Sequence, residues 1–285
     1  MTRPQRMRQH RGTLAAPSPL AEIGPPGSRH PTETSMASPR LLLLSNSRNV
    51  GQGYLEHAEP FIKDFLGTSV REVLFVPYAA VRLTFDAFTE MVAKRFGEMG
   101  YGVAPIHRAR SPKAAVRKAE AIVVGGGNTF QLLKTLHEKG LVAAIRERAK
   151  AGVPFVGWSA GANVACPTMK TTNDMPIVEP PSLGATRLVP FQINPHYLDA
   201  HPEGHGGETR EERILEFIAA NPGVHVVGLR EGSILRLEAG RLALLGGRTA
   251  RIFLKGKEPR EVEPGADLAF LLRSRSPGRI IGVRA

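Results

Sequence analysis

Val153-Pro154-Phe155-Val156-Gly157-Trp158-Ser159-Ala160-Gly161-Ala162-Asn163 is the stretch that decides both fold and chemistry. An apolar run ends in Gly-x-Ser-x-Gly, and small residues able to start a helix follow it. Strand, sharp turn and helix is the setting in which such a serine is lifted clear of the backbone for attack. Gly157 and Gly161 leave room for the chain to turn, and the Ser159 hydroxyl stands where a carbonyl can reach it. The amide of Ala160 opens the helix, so it is a ready donor to an oxyanion. Without its context the pattern fits a tight strand–helix turn equally well; the strand before it and the helix start after it favour a nucleophile.

The flanking chain alternates in the same sense. Strand-like runs occur at 41–45, 73–77, 103–107, 121–124, 153–156 and 224–229. Helical patterns lie between them at about 55–66, 84–99, 112–119, 129–136, 142–150, 160–166 and 209–219. Such alternation predicts an α/β fold: a doubly wound, mostly parallel sheet with helices on both faces. The strands are apolar without strict alternation, as expected where both faces are covered. After Leu229 the pattern turns to short strands at 234–237, 242–245 and 251–254, which predict antiparallel additions at the sheet edge. One domain over 39–285 follows, weakly patterned after about residue 263.

Residues 1–38 read differently. Six prolines and no hydrophobic period predict a disordered basic extension, since so little apolar surface cannot offset the entropy of ordering. Arginines without acids before Glu22 have the look of a transit peptide, but the prolines and missing amphipathic stripe argue against one. Met36 makes an over-extended start the alternative. The net charge of +12 raises the question of nucleic acid. The arginines are scattered and gather only at the two ends, with no aromatic interleaving, so a solvated basic surface is the expectation. No apolar run approaches the ~20 residues of a membrane span. A single cysteine, Cys166, fits a reducing compartment, hence the cytoplasm, and reads as a small buried hydrophobe.

Other parts of a catalytic site follow from position. Gly125-Gly126-Gly127-Asn128-Thr129 comes after a strand, on the same side of the sheet as Ser159, so amides of Gly127 and Asn128 are candidates for a second oxyanion donor. Neither a P-loop nor a dinucleotide pattern is present here. Among nine histidines, His196 in Ile193-Asn-Pro-His196 is the preferred base, with His201 and His205 as alternatives in the same irregular region. A metal site of His201, Glu203 and His205 matches no zinc spacing. The orienting carboxylate is Asp174, in a loop between nucleophile and base, or Glu231, at a strand end. A strand end is the more rigid platform, which favours Glu231.

Six ordered motifs carry a resemblance: Leu42-Leu-Leu-Ser-Asn46, Gly125-Gly-Gly-Asn-Thr-Phe-Gln-Leu-Leu-Lys134, Gly157-Trp-Ser-Ala-Gly-Ala-Asn163, Thr171-Thr-Asn-Asp-Met-Pro-Ile177, Gln192-Ile-Asn-Pro-His196 and Pro202-Glu-Gly-His-Gly-Gly-Glu-Thr-Arg210. Over about 40–260 the chain resembles the peptidase E, or aspartyl dipeptidase, family of serine peptidases, with cyanophycinases and glutamine-amidotransferase-like folds as looser relatives, which implies a glutamine-amidotransferase-like or flavodoxin-like doubly wound sheet. The resemblance implies Ser159 as nucleophile, His196 as base and either Asp174 or Glu231 as third member. It also implies release of an N-terminal aspartate from dipeptides without metal or cofactor; the expected partner is the small dipeptide substrate, with no nucleic acid or membrane, and the assembly a monomer or homodimer. A cation must then hold the substrate carboxylate, and Arg210 is the candidate, although Arg210 also reads as an ordinary charge in a helical first turn. The competing expectations are a cyanophycinase-like isoaspartyl peptidase and a non-catalytic binding protein on the same fold.

Overall fold

The computed structural model describes residues 38–199, 204 and 206–274. The expected basic extension falls outside these residues except for position 38. So do His201, Glu203, His205 and the tail from 275 onward.

The chain opens with Leu41–Leu44 (β1), Glu59–Leu66 (α1), Glu72–Val76 (β2), Phe85–Glu98 (α2) and Gly102–Pro105 (β3). It continues through Pro112–Lys118 (α3), Ile122–Val124 (β4), Thr129–Glu138 (α4), Leu141–Lys150 (α5), Phe155–Trp158 (β5) and Ala160–Asn163 (α6). Then come Gln192–Tyr197 (β6), Arg210–Ala220 (α7), Val226–Arg230 (β7), Ser233–Glu238 (β8), Arg241–Gly246 (β9), Ala250–Phe253 (β10) and Arg260–Val262 (β11).

The larger sheet runs β3-β2-β4-β5-β1-β8-β9. Its first five strands are parallel, and β8 and β9 add antiparallel at the edge beside β1. Successive strand side chains point to opposite faces, and the core divides accordingly. Leu42, Leu44, Phe75, Val156 and Trp158 pack with α1 and α2. Leu41, Leu43, Val76, Val124 and Phe155 pack with α3, α4 and α5. The sheet is therefore doubly wound, as the alternation predicts.

The expected edge strands divide between two sheets. β10 does not join the large sheet; a second sheet, ordered β11-β10-β7-β6, takes it together with β6 and β7. The cause is local. β8 already occupies the free edge of β1, and the turn at Glu231-Gly232 passes the chain from β7 in one sheet to β8 in the other. Gly232 makes this turn at φ +86°, a conformation that favours glycine. The segment around His196, expected to be irregular, is strand β6. Ile193 and Val227 face the main core, while α7 covers the opposite face over Tyr197, Val226 and Phe253.

Candidate active site

Ser159 sits just past β5 at φ 53°, ψ −114°, a conformation that side chains rarely adopt. Its amide continues the strand ladder by donating to the Leu44 carbonyl at 3.0 Å, and its carbonyl accepts from Asn163 N–H at 2.9 Å. The chain thus passes from strand to helix within one residue. Both flanking glycines are sterically required. A Cβ on Gly157 would lie 2.5 Å from the Gly161 carbonyl oxygen, and one on Gly161 would lie 2.2 Å from that of Val124. Helix α6 is only Ala160–Asn163, shorter than the pattern suggests, because the chain turns at Val164–Cys166 and sends Ile193 N–H onto the Cys166 sulfur. Cys166 is fully buried, and burial pushes its thiol up, so it stays protonated beside the elbow.

His196 Nε2 lies 2.9 Å from Ser159 Oγ, and its Nδ1 lies 2.7 Å from Glu231 Oε1. With Glu231 ionised, Nδ1–H donates to the carboxylate and Nε2 is left to accept the serine proton, which is the tautomer a base requires. The partners of this pair come from the end of β1. Ser45 Oγ accepts from His196 N–H at 2.8 Å and donates to the Leu229 carbonyl at 2.7 Å. Asn46 Oδ1 accepts from Gly232 N–H at 2.9 Å, fixing the turn that presents Glu231. Neither residue has a place in the sequence reading beyond the Leu-Leu-Leu-Ser-Asn run. The available signal is that two small polar residues follow directly on a fully apolar strand.

Asp174 is engaged elsewhere. Its Oδ2 accepts from Thr129 N–H at 2.7 Å, Thr129 Oγ1–H at 2.6 Å and Thr172 Oγ1–H at 3.1 Å. The carboxylate therefore stands at the N-terminus of α4, where a negative charge complements the helix dipole, and no hydrogen bond joins it to His196.

The glycine loop also differs from expectation in part. Asn128 N–H donates to the Ala79 carbonyl at 2.9 Å, and the Asn128 side chain caps α4 through Gln131 N–H and reaches the Met175 carbonyl. That amide is spent on structure. The N–H groups of Gly127 and Ala160 have no protein partner among the described residues; Ala160 follows Ser159 directly, and Gly127 lines the same cavity as Ser159. Gly127 must be glycine: its φ is +135°, and a Cβ there would meet the Ala79 carbonyl oxygen at 2.3 Å.

A cavity of about 600 Å³ opens in front of Ser159 and His196. Gly126, Gly127 and Trp158 line it with the aromatic rings of Tyr54 and Phe88, and Tyr54 meets Trp158 edge-on at 6.1 Å. Burial raises the Tyr54 phenol, keeping it neutral. Arg210 does not line this cavity. It borders a separate one of about 160 Å³, where Nη1 donates to Asn173 Oδ1 at 2.8 Å. Asn173 in turn donates to the Pro195 carbonyl at 2.6 Å, so Arg210 lies behind the strand that carries His196.

The chain is 50% identical over 239 residues to peptidase E of Nostoc sp., covering 84% of this chain and 99% of the relative. It is 49% identical over 225 residues to peptidase E of Salmonella typhimurium, covering 79% and 98%. Among solved structures, a peptidase from an acI-B1 actinobacterium superposes with a TM-score of 0.60 at 16% identity over 82% of this chain and 97% of the other. A Listeria monocytogenes EGD-e protein superposes with a TM-score of 0.56 at 22% identity over 74% and 100%; these two bear on the fold alone. The model of peptidase family S51 matches residues 41–245, which span the elbow, His196 and Glu231, and the chain belongs to that family of serine peptidases.

Proposed function

We propose that the protein is a dipeptidase that releases an N-terminal aspartate from Asp-Xaa through an acyl-enzyme on Ser159. The observation that carries this reading is the unbroken chain Ser159–His196–Glu231, facing a cavity beside two unpaired amides. As Ser159 Oγ attacks the scissile carbonyl, His196 Nε2 takes the hydroxyl proton. Glu231 holds the imidazole in register and stabilises its charge. The carbonyl oxygen, now negative, is received by the N–H groups of Ala160 and Gly127. Collapse breaks the C–N bond, and the leaving amine takes the proton from His196. Water then attacks the ester with His196 again as base, restoring Ser159. Every step uses side chains and amides of this chain. The cavity is of a size for a dipeptide, and the buried, unpaired Cys166 is in keeping with a cytoplasmic protein.

The test is a comparison of purified protein on Asp-Leu, β-Asp-Leu, Asn-Leu and Ala-Leu. The proposal expects Asp-Leu to be cleaved with kcat/KM at least about a hundredfold above the neutral dipeptides, as one or two lost charged hydrogen bonds imply. Preference for β-Asp-Leu would make it an isoaspartyl peptidase instead.

A further inference from the structure

The cavity before Ser159 carries one permanently charged side chain among the described residues that line it, Arg82, and no acid. Arg82 is exposed, and among the described residues no hydrogen bond or ion pair engages its guanidinium. Other arginines behave differently: Arg95, Arg230 and Arg236 each reach two carboxylates. The segment bearing Arg82 is also held at both ends. On one side the Ala79 carbonyl accepts from Asn128 N–H, which fastens the segment to the glycine loop of the oxyanion site. On the other, Thr84 Oγ1 accepts from Ala87 N–H and caps α2. Residues 80–83 therefore form a short bridge of fixed reach beside the reacting centre. On the cavity rim Arg82 is flanked by Val81 and Leu83, 56% and 52% exposed, with Ile177 also on the rim at 49%.

We propose that Arg82 is a specificity residue whose guanidinium takes a carboxylate of the bound dipeptide, while Val81, Leu83 and Ile177 receive apolar parts of the same substrate. The inference rests on the reading of the site as that of a dipeptidase, and it names the group by which that site recognises its substrate. A guanidinium is a planar fork that matches a carboxylate with two parallel hydrogen bonds. With no acid beside it among the described residues and apolar side chains on either hand, the fork supplies an attraction that a substrate carboxylate would complete. A dipeptide of the proposed class has two such groups, the aspartate side chain and the C-terminal carboxylate.

The experiment measures kcat/KM for wild type, Arg82→Met and Arg210→Met on Asp-Leu, Asn-Leu and Asp-leucinamide, with melting temperatures as a check on folding. Loss of a charged, partly solvated pair predicts that Arg82→Met lowers kcat/KM on Asp-Leu by roughly 10- to 100-fold, mostly through KM. If the side-chain carboxylate is the partner, the Asp-Leu to Asn-Leu ratio collapses by that factor. If the terminal carboxylate is the partner, the Asp-Leu to Asp-leucinamide ratio does. Arg82→Lys should recover part of the loss, because the charge remains without the fork. Both ratios staying within about twofold of wild type would overturn the proposal, as would loss of either ratio in Arg210→Met alone. Wild type inactive on Asp-Leu would instead sink the dipeptidase reading, so the two failures are separable.

Discussion

Ser159 and His196 share an uncommon property: each carries its side chain at φ 53°, where residues other than glycine pay a steric cost. Gly157 and Gly161 leave the room in which Ser159 takes this conformation, and hydrogen bonds from His196 N–H to Ser45 Oγ and from Asn173 to the Pro195 carbonyl bracket His196. The two carboxylates separate by their partners. Glu231→Gln is expected to lower kcat by about 10⁴-fold, because an amide facing Nδ1 favours the wrong tautomer. Asp174→Asn should cost far less in turnover and show mainly as lost stability, by about 1 kcal/mol, since it weakens the cap on α4. Kinetics on Asp-Leu beside urea unfolding distinguishes these outcomes; equal small losses in kcat for both would leave Glu231 without a role. At this scale the structure brings together Ser159 and His196, the two residues that motif and position single out. Between the two acids the sequence favours Glu231 only as the more rigid platform; what separates them is their partners, His196 for Glu231 and the Thr129 and Thr172 donors for Asp174. Arg82 left no trace in the pattern, since one exposed arginine in a turn has no period.

Among the elements, the β5–α6 elbow and the glycine loop were legible, because glycine records steric demand directly. Gly161→Ala tests that demand: its Cβ would press on the Val124 carbonyl of β4, forcing strand and helix apart. Overpacking of this kind costs about 1–3 kcal/mol, which should appear as a lower urea midpoint together with impaired hydrolysis from a displaced Ser159. A variant with wild-type midpoint and activity would mean that the close approach is not required. Strand β6 was hidden by its own composition. Gln192-Ile-Asn-Pro-His-Tyr holds a proline and two amides; Asn163 of α6 donates to the Ile193 carbonyl, and Asn194 donates to the Thr171 carbonyl and to Asn173 Oδ1, which ties the strand to α6 and to the loop at 171–173. The second sheet went unread for the same reason: β7 and β10 look like further strands of the first, and only the occupied edge of β1 excludes them.

For the described fold as a whole, two partly buried histidines outside the site link stability to pH. Burial lowers the pKa of His57 and His225 in the folded state, with the Glu231 charge partly opposing the shift at His57. The unfolded chain binds their protons as pH falls through about 6.5 while the folded chain does not, so stability is full above that pH and declines below it. Thermal melts from pH 7.5 to 5.5 should show a falling midpoint, with a shallower slope in His57→Gln and His225→Gln; slopes identical to wild type would remove both residues from that linkage. The sequence pattern predicts the sheet class but not the strand order; the two sheets together bring the ends of β1, β4 and β5 and those of β6 and β7 around one serine. The most direct measurement of the central claim is leucine release from Asp-Leu by wild type and Ser159→Ala, matched in concentration and shown to be folded by circular dichroism. The account predicts hydrolysis by wild type and a fall in kcat of about 10⁶-fold in the variant, whereas activity within tenfold of wild type in Ser159→Ala would contradict it.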